Sequence, residues 1–246
     1  MEVIYERQEK QQRMDNQKYL SIDCGIDNLA TCSSNTIPSF IINGRPVKSI
    51  NQFCNKRVSD LKSKLEKQNN GQRSSKRIHN TWRKRNFKIK DYFHKTSHYI
   101  INQCVENDIN TIVIGRNKGW KQETNLGKRN NQNFVDIPFN QLIDMICYKA
   151  KLQGVNVVLQ EESYTSKSSF FDNDEIPVYN SGVKQSPSFS GKRVSRGLYK
   201  TSNGLLVNAD VNGSLNILRK YLNVVSERIV SVGNRGLVVR PVKINI

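Results

Sequence analysis

Three acidic residues stand at positions where carboxylates could do joint chemistry: Asp23, Glu162 and Asp210. Asp23 ends the apolar run Leu20-Ser21-Ile22-Asp23-Cys24-Gly25. Glu162 follows a second such run, Val155-Asn156-Val157-Val158-Leu159-Gln160. Asp210 opens an amphipathic pattern in Asn208-Ala209-Asp210-Val211-Asn212-Gly213. Carboxylates so distant in sequence form a set only if folding gathers them, and then they repel one another unless cations sit between. Two divalent metals about 4 Å apart would meet that need and suit phosphodiester cleavage.

Each of the three also has a plainer reading. An Asp at a strand end often begins a turn, and Gly25 follows two residues on. Glu161 and Glu162 could be a solvated acidic pair. Strand alternation sends them to opposite sides, so only one would reach a shared site. Glu162 is the choice and Glu161 the reserve. Asp210 could serve only the helix dipole, at about 0.5 kcal/mol. The run Asn212-Gly213-Ser214 argues for a close approach, since Gly costs roughly 1 kcal/mol inside a helix.

The elements that would position these residues alternate in type. Residues 18–24 and 29–33 read as strands around the turn Gly25-Ile26-Asp27-Asn28, and 39–42 as a third. Asn43-Gly44 marks a turn. Residues 51–70 read as a polar helix, with a break at 71–75. A long helix then runs to about Asp108, with Ile89, Phe93, Ile100 and Cys104 at helical spacing. Residues 111–114 read as a buried parallel strand, and 118–133 as a loop. Asp136-Ile137-Pro138 starts a helix whose inner face is Phe139, Leu142, Ile143 and Ile146. Gly154 stops it, and 155–160 is the next strand. Residues 163–203 lack periodicity and read as a long Ser/Lys/Gly-rich loop. The last helix covers about 209–222, with Asn208 as N-cap and Val211, Leu215, Leu218 and Leu222 on one face. Asp210 lies off that face, free to meet a metal. Residues 1–17 are a polar, frayed lead-in. Such alternation points to an α/β fold.

Charge indicates the partner. There are 39 Lys+Arg against 21 Asp+Glu, a formal net charge of +18. Such an excess implies a polyanion, with nucleic acid first. The 51–108 helical pair carries Arg73, Lys76, Arg77, Arg83, Lys84, Arg85 and Lys88, interleaved with Trp82, Phe87 and Tyr92. Cations mixed with aromatics suit single-stranded nucleic acid better than plain solvent. Lys192, Arg193 and Arg196 form a second basic group.

Several classes are disfavoured. No apolar run of about 18 residues exists, so no membrane partner is expected. The charged start lacks a signal core, which predicts a cytoplasmic, nucleoid-associated protein. None of the five cysteines forms a Cys-x-x-Cys pair, so no zinc is expected. His94 and His98, four apart, lack the Glu of a zincin motif. Walker A and Gly-x-Ser-x-Gly motifs are missing.

The motifs together resemble the TnpB (OrfB) proteins of bacterial insertion sequences. The resemblance rests on Asp23-Cys24-Gly25-Ile26-Asp27-Asn28-Leu29-Ala30, on 91–97 (Asp91-Tyr92-Phe93-His94-Lys95-Thr96-Ser97), on 161–170 (Glu161-Glu162-Ser163-Tyr164-Thr165-Ser166-Lys167-Ser168-Ser169-Phe170) and on 208–213. It runs from about residue 18 to the end. It implies an RNase H-like, RuvC-type mixed sheet flanked by helices, with the basic helical hairpin 51–108 inserted. It also implies RNA-guided, Mg²⁺-dependent DNA cleavage, with two ions held by Asp23, Glu162 and Asp210. DNA and a guide RNA from the transposon end would be the partners.

Three departures from the family pattern stand out. The usual middle Glu after the strand 111–114 is replaced by Gly115-Arg116-Asn117. A subset of the family has Gly-x-Asn there and the Glu-Glu-Ser-Tyr-Thr-Ser-Lys block downstream, so Glu162 is inferred to have taken the role over. The usual zinc ribbon falls in 168–200, which here has no cysteine. Asp172, Asp174 and the Lys, Arg and Ser residues are expected to hold that stretch instead. Full members also carry a preceding region for guide RNA and the flanking DNA motif. This chain therefore reads as residues 18–246 of nuclease core after a remnant, 1–17. A catalytically weak or inactive nucleic-acid-binding transposon remnant is the rival reading.

Overall fold

The structure, a computed structural model, describes residues 6, 8–68, 74–116, 137–178, 187–222 and 241–246. Arg73, Asn117 and the 118–133 segment lie outside the described residues. Among the described residues, six strands form the main sheet: β1 (Tyr19–Cys24), β2 (Asn28–Ser34), β3 (Phe40–Asn43), β4 (Thr111–Gly115), β5 (Asn156–Gln160) and β9 (Val242–Ile244). Their order is β5-β4-β1-β2-β3-β9. Strands β1, β4 and β5 are parallel, β2 is antiparallel to β1 and β3, and β9 runs parallel to β3. An antiparallel hairpin continued by parallel strands is the RNase H-like arrangement expected from the motifs.

Alternation along β1 decides what lies where. Leu20, Ile22 and Cys24 face one layer, Tyr19, Ser21 and Asp23 the other. The first layer is the main core. There α2 (Lys76–Glu106) contributes Ile89, Phe93, Ile100 and Cys104, and α3 (Phe139–Leu152) contributes Phe139, Leu142, Ile143 and Ile146. Both stripes are those the periodicity marks. On the opposite face α4 (Ala209–Leu222) lies across β1, β2 and β4, packing Val211, Leu215, Ile217 and Leu218 against Tyr19 and Val113. Asn208 caps α4 as expected, its Oδ1 accepting from the N–H groups of Asp210 (3.0 Å) and Val211 (3.1 Å). Each such bond satisfies an amide that the first helical turn leaves unpaired.

Helix α1 (Arg45–Lys67) begins six residues before the predicted 51, because Pro46 fits its first turn and prolongs the helix back to Gly44. It packs on the first half of α2 through Cys54, Val58, Leu61 and Ile78, with Leu65 and Trp82 at the margin. Ser75 caps α2.

Four expectations need correction. Residues 163–203 are not a plain loop: turns over 163–173 lead into a second sheet of β6 (Lys192–Ser195), β7 (Leu198–Lys200) and β8 (Leu206–Asn208). Hairpin β6–β7 turns at Gly197, whose positive φ of 80° suits glycine. Tyr92 does not join the exposed aromatics, being buried with its hydroxyl donating to the Asn43 carbonyl (2.5 Å). The described part of the lead-in is not frayed. Arg13 N–H donates to Gly154 (3.1 Å), and Arg13 and Lys18 pair with Asp108 at 3.3 and 3.0 Å. Finally, Asp210 is not free, as its contacts below make clear.

Candidate functional site

Asp23 lies on the α4 face of the sheet, within electrostatic reach of Glu162 and Asp210. Asp23 projects from β1 toward α4, where a methyl group placed on Gly213 would lie 3.0 Å from Asp23 Oδ2. Gly213 therefore permits the close approach that its position in the helix suggests. Glu162 lies two residues past β5 and swings sideways over the end of β4. Its Oε2 occupies the space that a side chain on Gly115 would need, pressed also by Ile217. The glycine that replaces the family's usual Glu thus leaves room for a carboxylate arriving from the neighbouring strand. Asp210 enters from the first turn of α4.

Glu161 and Glu162 do part company, as alternation demands. Glu161 accepts from the Ser163 amide (2.7 Å) and pairs with Lys220 of α4. That pairing holds its carboxyl below the usual range despite burial. Burial instead pushes Glu162 up to about 7, with Glu161 adding and Lys220 opposing. Burial raises Asp23 well above the usual carboxylate range, reinforced by Glu162 and then Asp210, and opposed by Arg193.

Both shifts favour the protonated form in the folded chain. Stability tied to Glu162 is therefore fully present below its ordinary value of 4.5 and is lost as pH rises through about 7. The metal-free thermal midpoint should fall from about pH 5 to about pH 8, and Glu162→Gln should flatten the fall. A midpoint that rises over this range would mean the carboxylates are better paired than their geometry indicates.

Asp210 is engaged on both oxygens. Asn28 Nδ2 donates to Oδ2 (2.6 Å), and Arg193 Nη2 pairs with Oδ1 (3.1 Å). Arg196 and Lys48 (2.8 Å) pair with Asp27 in the same turn as Asn28. Two of the three cations singled out in this segment thus rest on acids beside the site, and Lys192 is exposed. Among the described residues, no group of three or more His, Cys, Asp or Glu side chains converges as a metal cage. The donor set is nonetheless all oxygen and under-neutralised, with one guanidinium near three carboxylates. That chemistry fits a hard divalent cation.

The Asn-rich face of α4 reads the turn after Glu162. Asn212 Nδ2 donates to the Ser168 carbonyl (2.8 Å) and its Oδ1 accepts from Phe170 N–H (3.0 Å). Asn216 Nδ2 donates to Thr165 (2.9 Å) and Ser168 (2.7 Å). Ser214 meets Ser21 of β1 at 2.9 Å, joining the helix to the sheet. These contacts fix Glu162 relative to Asp210. Sequence reasoning missed Asn28, Asn216 and Lys220. Nothing in a turn tetrad or a helix interior distinguishes a ligand's neighbour from an ordinary polar residue.

Carboxylates and hydroxyls hold the stretch where the family has its zinc ribbon. Asp174 accepts from Ser169 N–H (2.8 Å) and from the amide and hydroxyl of Ser190. Asp172 accepts from Ser169 Oγ (2.5 Å) and from Ser202 N–H (2.9 Å) and Oγ (2.6 Å). Arg219 donates to the Asp174 carbonyl (2.5 Å) and lies over the Phe170 ring. Asp174→Ala strands those donors and should cost about 1–3 kcal/mol of stability. The thermal midpoint of the wild type should be indifferent to a zinc chelator; a drop on chelation would assign the stretch to metal after all.

The predicted nucleic-acid residues divide by place. Lys76, Arg77, Arg83, Lys84 and Lys88 are exposed on α2. Arg85 is half-buried, donating to Asn51 (2.8 Å) with its guanidinium over Trp82. His98 is exposed and His94 half-buried, both on α2. Among the described residues no helix is long and apolar enough to cross a membrane.

Comparison with known proteins agrees with this architecture. The family model OrfB_IS605, described as a probable transposase, matches residues 2–121. A Cas12f1-like TNB-domain model matches residues 139–217. No curated protein matches the chain. A Cas12f1–sgRNA–target DNA complex superposes with a TM-score of 0.54 at 16% identity, covering 82% of this chain and 50% of that one. A CRISPR-Cas12f ternary complex gives 0.52 at 16% identity, covering 88% and 41%. At that identity the likeness concerns the fold, and the chain spans half or less of those structures' length. Its two family matches and its motifs make the chain similar to the TnpB (OrfB) proteins of insertion sequences, and the solved structures share its fold.

Proposed function

We propose that this chain is the core of a TnpB-type, RNA-guided DNA endonuclease that hydrolyses phosphodiesters with two Mg²⁺ ions. The observation that carries the reading is the placing of Glu162 over Gly115, on the same face as Asp23 and Asp210. Asp23, Glu162 and Asp210 would hold the ions. Bound Mg²⁺ would supply Lewis acidity at the phosphate and a lowered water pKa. Asn28 orients Asp210, and Lys220 keeps Glu161 out of the site. Residues 18–246 act as one unit. The hairpin 51–108 and the 163–203 segment hold DNA and a guide RNA from the transposon end by their backbones. The setting is cytoplasmic and nucleoid-associated.

The test incubates the purified chain, with RNA co-expressed from its own 3′ region, with labelled single-stranded DNA and Mg²⁺. Asp210→Ala runs beside it. Cutting by the wild type and none by the variant, with equal DNA binding, is the expected result. A variant that cuts at the wild-type rate refutes the site.

One observation favours a second reading, a nucleic-acid-binding protein that does not cut. Asp210 is already engaged by Arg193 and Asn28, and that arrangement must open before Asp210 can accept a cation. Binding without cutting in both proteins would support this reading.

A further inference from the structure

Between α1 and α2, away from the carboxylates, lies a groove of about 660 Å³. Five cations line it: Arg57, Arg77, Lys84, Arg85 and Lys88. Among the described residues no Asp or Glu does. Four of the five, Arg57, Arg77, Lys84 and Lys88, are exposed, and none of those four has a carboxylate partner among the described residues. Arg85 is fixed by Asn51, itself buried in α1. Phe53 lines the same groove with 71% of its surface exposed, one turn of α1 before Arg57.

Each feature alone has a bland account, since charged helices are solvated and single exposed aromatics are common. Their coincidence does not. Cations crowded without acids repel one another, and a ring left in water forgoes about 25 cal/mol for each Å² it could bury. A ligand that relieves both must carry several negative charges and a flat apolar face. A duplex offers phosphates but hides its bases. A single strand offers both, with phosphates at the cations and an unstacked base on the ring.

We infer that this groove is a nucleotide-binding site that takes an unstacked base of single-stranded nucleic acid against Phe53, with the flanking phosphates on Arg57, Arg77, Lys84 and Lys88. This rests on the reading of the chain as a nucleic-acid-binding protein but not on its cutting anything. The groove's volume falls within the range of small-ligand pockets. Arg85, anchored by Asn51, sets the groove floor rather than reaching outward.

The experiment uses the whole purified chain and two fluorescein-labelled probes of about 12 units each. One is oligothymidylate; the other is a chain of abasic sites with the same phosphates. Fluorescence polarisation at one fixed low salt compares their affinities. The wild type should prefer the thymidylate by about 10-fold. Phe53→Ala should bind both probes at the abasic level, and Phe53→Trp should restore the preference. Lys84→Glu with Lys88→Glu should weaken both probes alike. Thermal midpoints check that the variants fold; Phe53 is exposed, so its loss should leave the midpoint unchanged.

The inference is overturned if Phe53→Ala keeps the thymidylate preference, if the wild type shows none, or if it binds neither probe. It is also overturned if Phe53→Ala lowers the midpoint by several degrees while leaving binding intact. That result would assign the groove to a protein segment. A chain that fails to cut DNA yet shows the Phe53-dependent preference would sink the nuclease reading and leave this site standing. Cutting lost in Asp210→Ala with Phe53 indifferent would do the reverse.

Discussion

Asp23→Asn should lower Mg²⁺-dependent cutting by about 10³-fold or more, while making the metal-free protein more stable by about 1 kcal/mol. The two effects have one cause. Asp23 is held beside Glu162 and Asp210 in a site that burial makes hostile to charge. Removing one charge relieves the others, so the folded chain gains. On the proposed mechanism, removing the same charge also takes away a metal ligand, so chemistry should fail. Single-turnover cleavage assays and thermal melts at about pH 8 measure the pair of effects. At about pH 5, where protonation already relieves the repulsion, the stability gain should shrink. A variant that loses cutting and stability together would point to Asp23 as a turn-former.

Gly115→Ala should be the most damaging of the conservative changes. Its added methyl would collide with Glu162 Oε2 and with Ile217 Cδ1 at 2.5 Å. Ile217 is fully buried in α4 and cannot retreat, so overpacking should cost about 1–3 kcal/mol. Glu162, met at the far end of its side chain, is the group that would have to shift. A carboxylate displaced by about 1 Å can lose about 10²-fold in rate. The expected outcome is a modestly destabilised protein, still binding DNA, with cutting reduced by that factor. Wild-type cutting in Gly115→Ala would mean that Glu162 is a bystander.

The strands and main helices could be read from the sequence because burial writes a period into them. Strand β4 is buried throughout as it lies between two layers, and the Ile89-Phe93-Ile100-Cys104 stripe marks the face of α2 that meets the sheet. The second sheet was illegible for the converse reason. Strand β6, Lys192–Ser195, is exposed along its whole length, so no face is marked. Only Tyr199 in β7 and Val207 in β8 are buried there, too few to form a pattern. In the candidate site, the places of Asp23, Glu162 and Asp210 at or near element ends were legible. Their company was not. That Arg193 lies on Asp210, or that Lys220 draws Glu161 aside, depends on contacts between residues far apart in the chain. Tyr92 misled because its spacing matches the exposed aromatics, whereas its hydroxyl serves a carbonyl inside the fold.

Helix α4 is buried from Val211 to Arg219, with the sheet on one side and the 163–170 turn on another. It also supplies Asp210 and the glycine that accommodates Asp23. During synthesis, Asp23 therefore leaves the ribosome long before anything can complete its pocket. Strands β1 to β5 and the helices α2 and α3 can pair in that interval, but their α4 face stays bare and sticky. Strand β9, which flanks β3, arrives later still. No partial chain ending before residue 209 contains the full carboxylate set. If the chain cuts as proposed, it would stay inert toward the DNA around it until α4 docks, a delay set by translation itself.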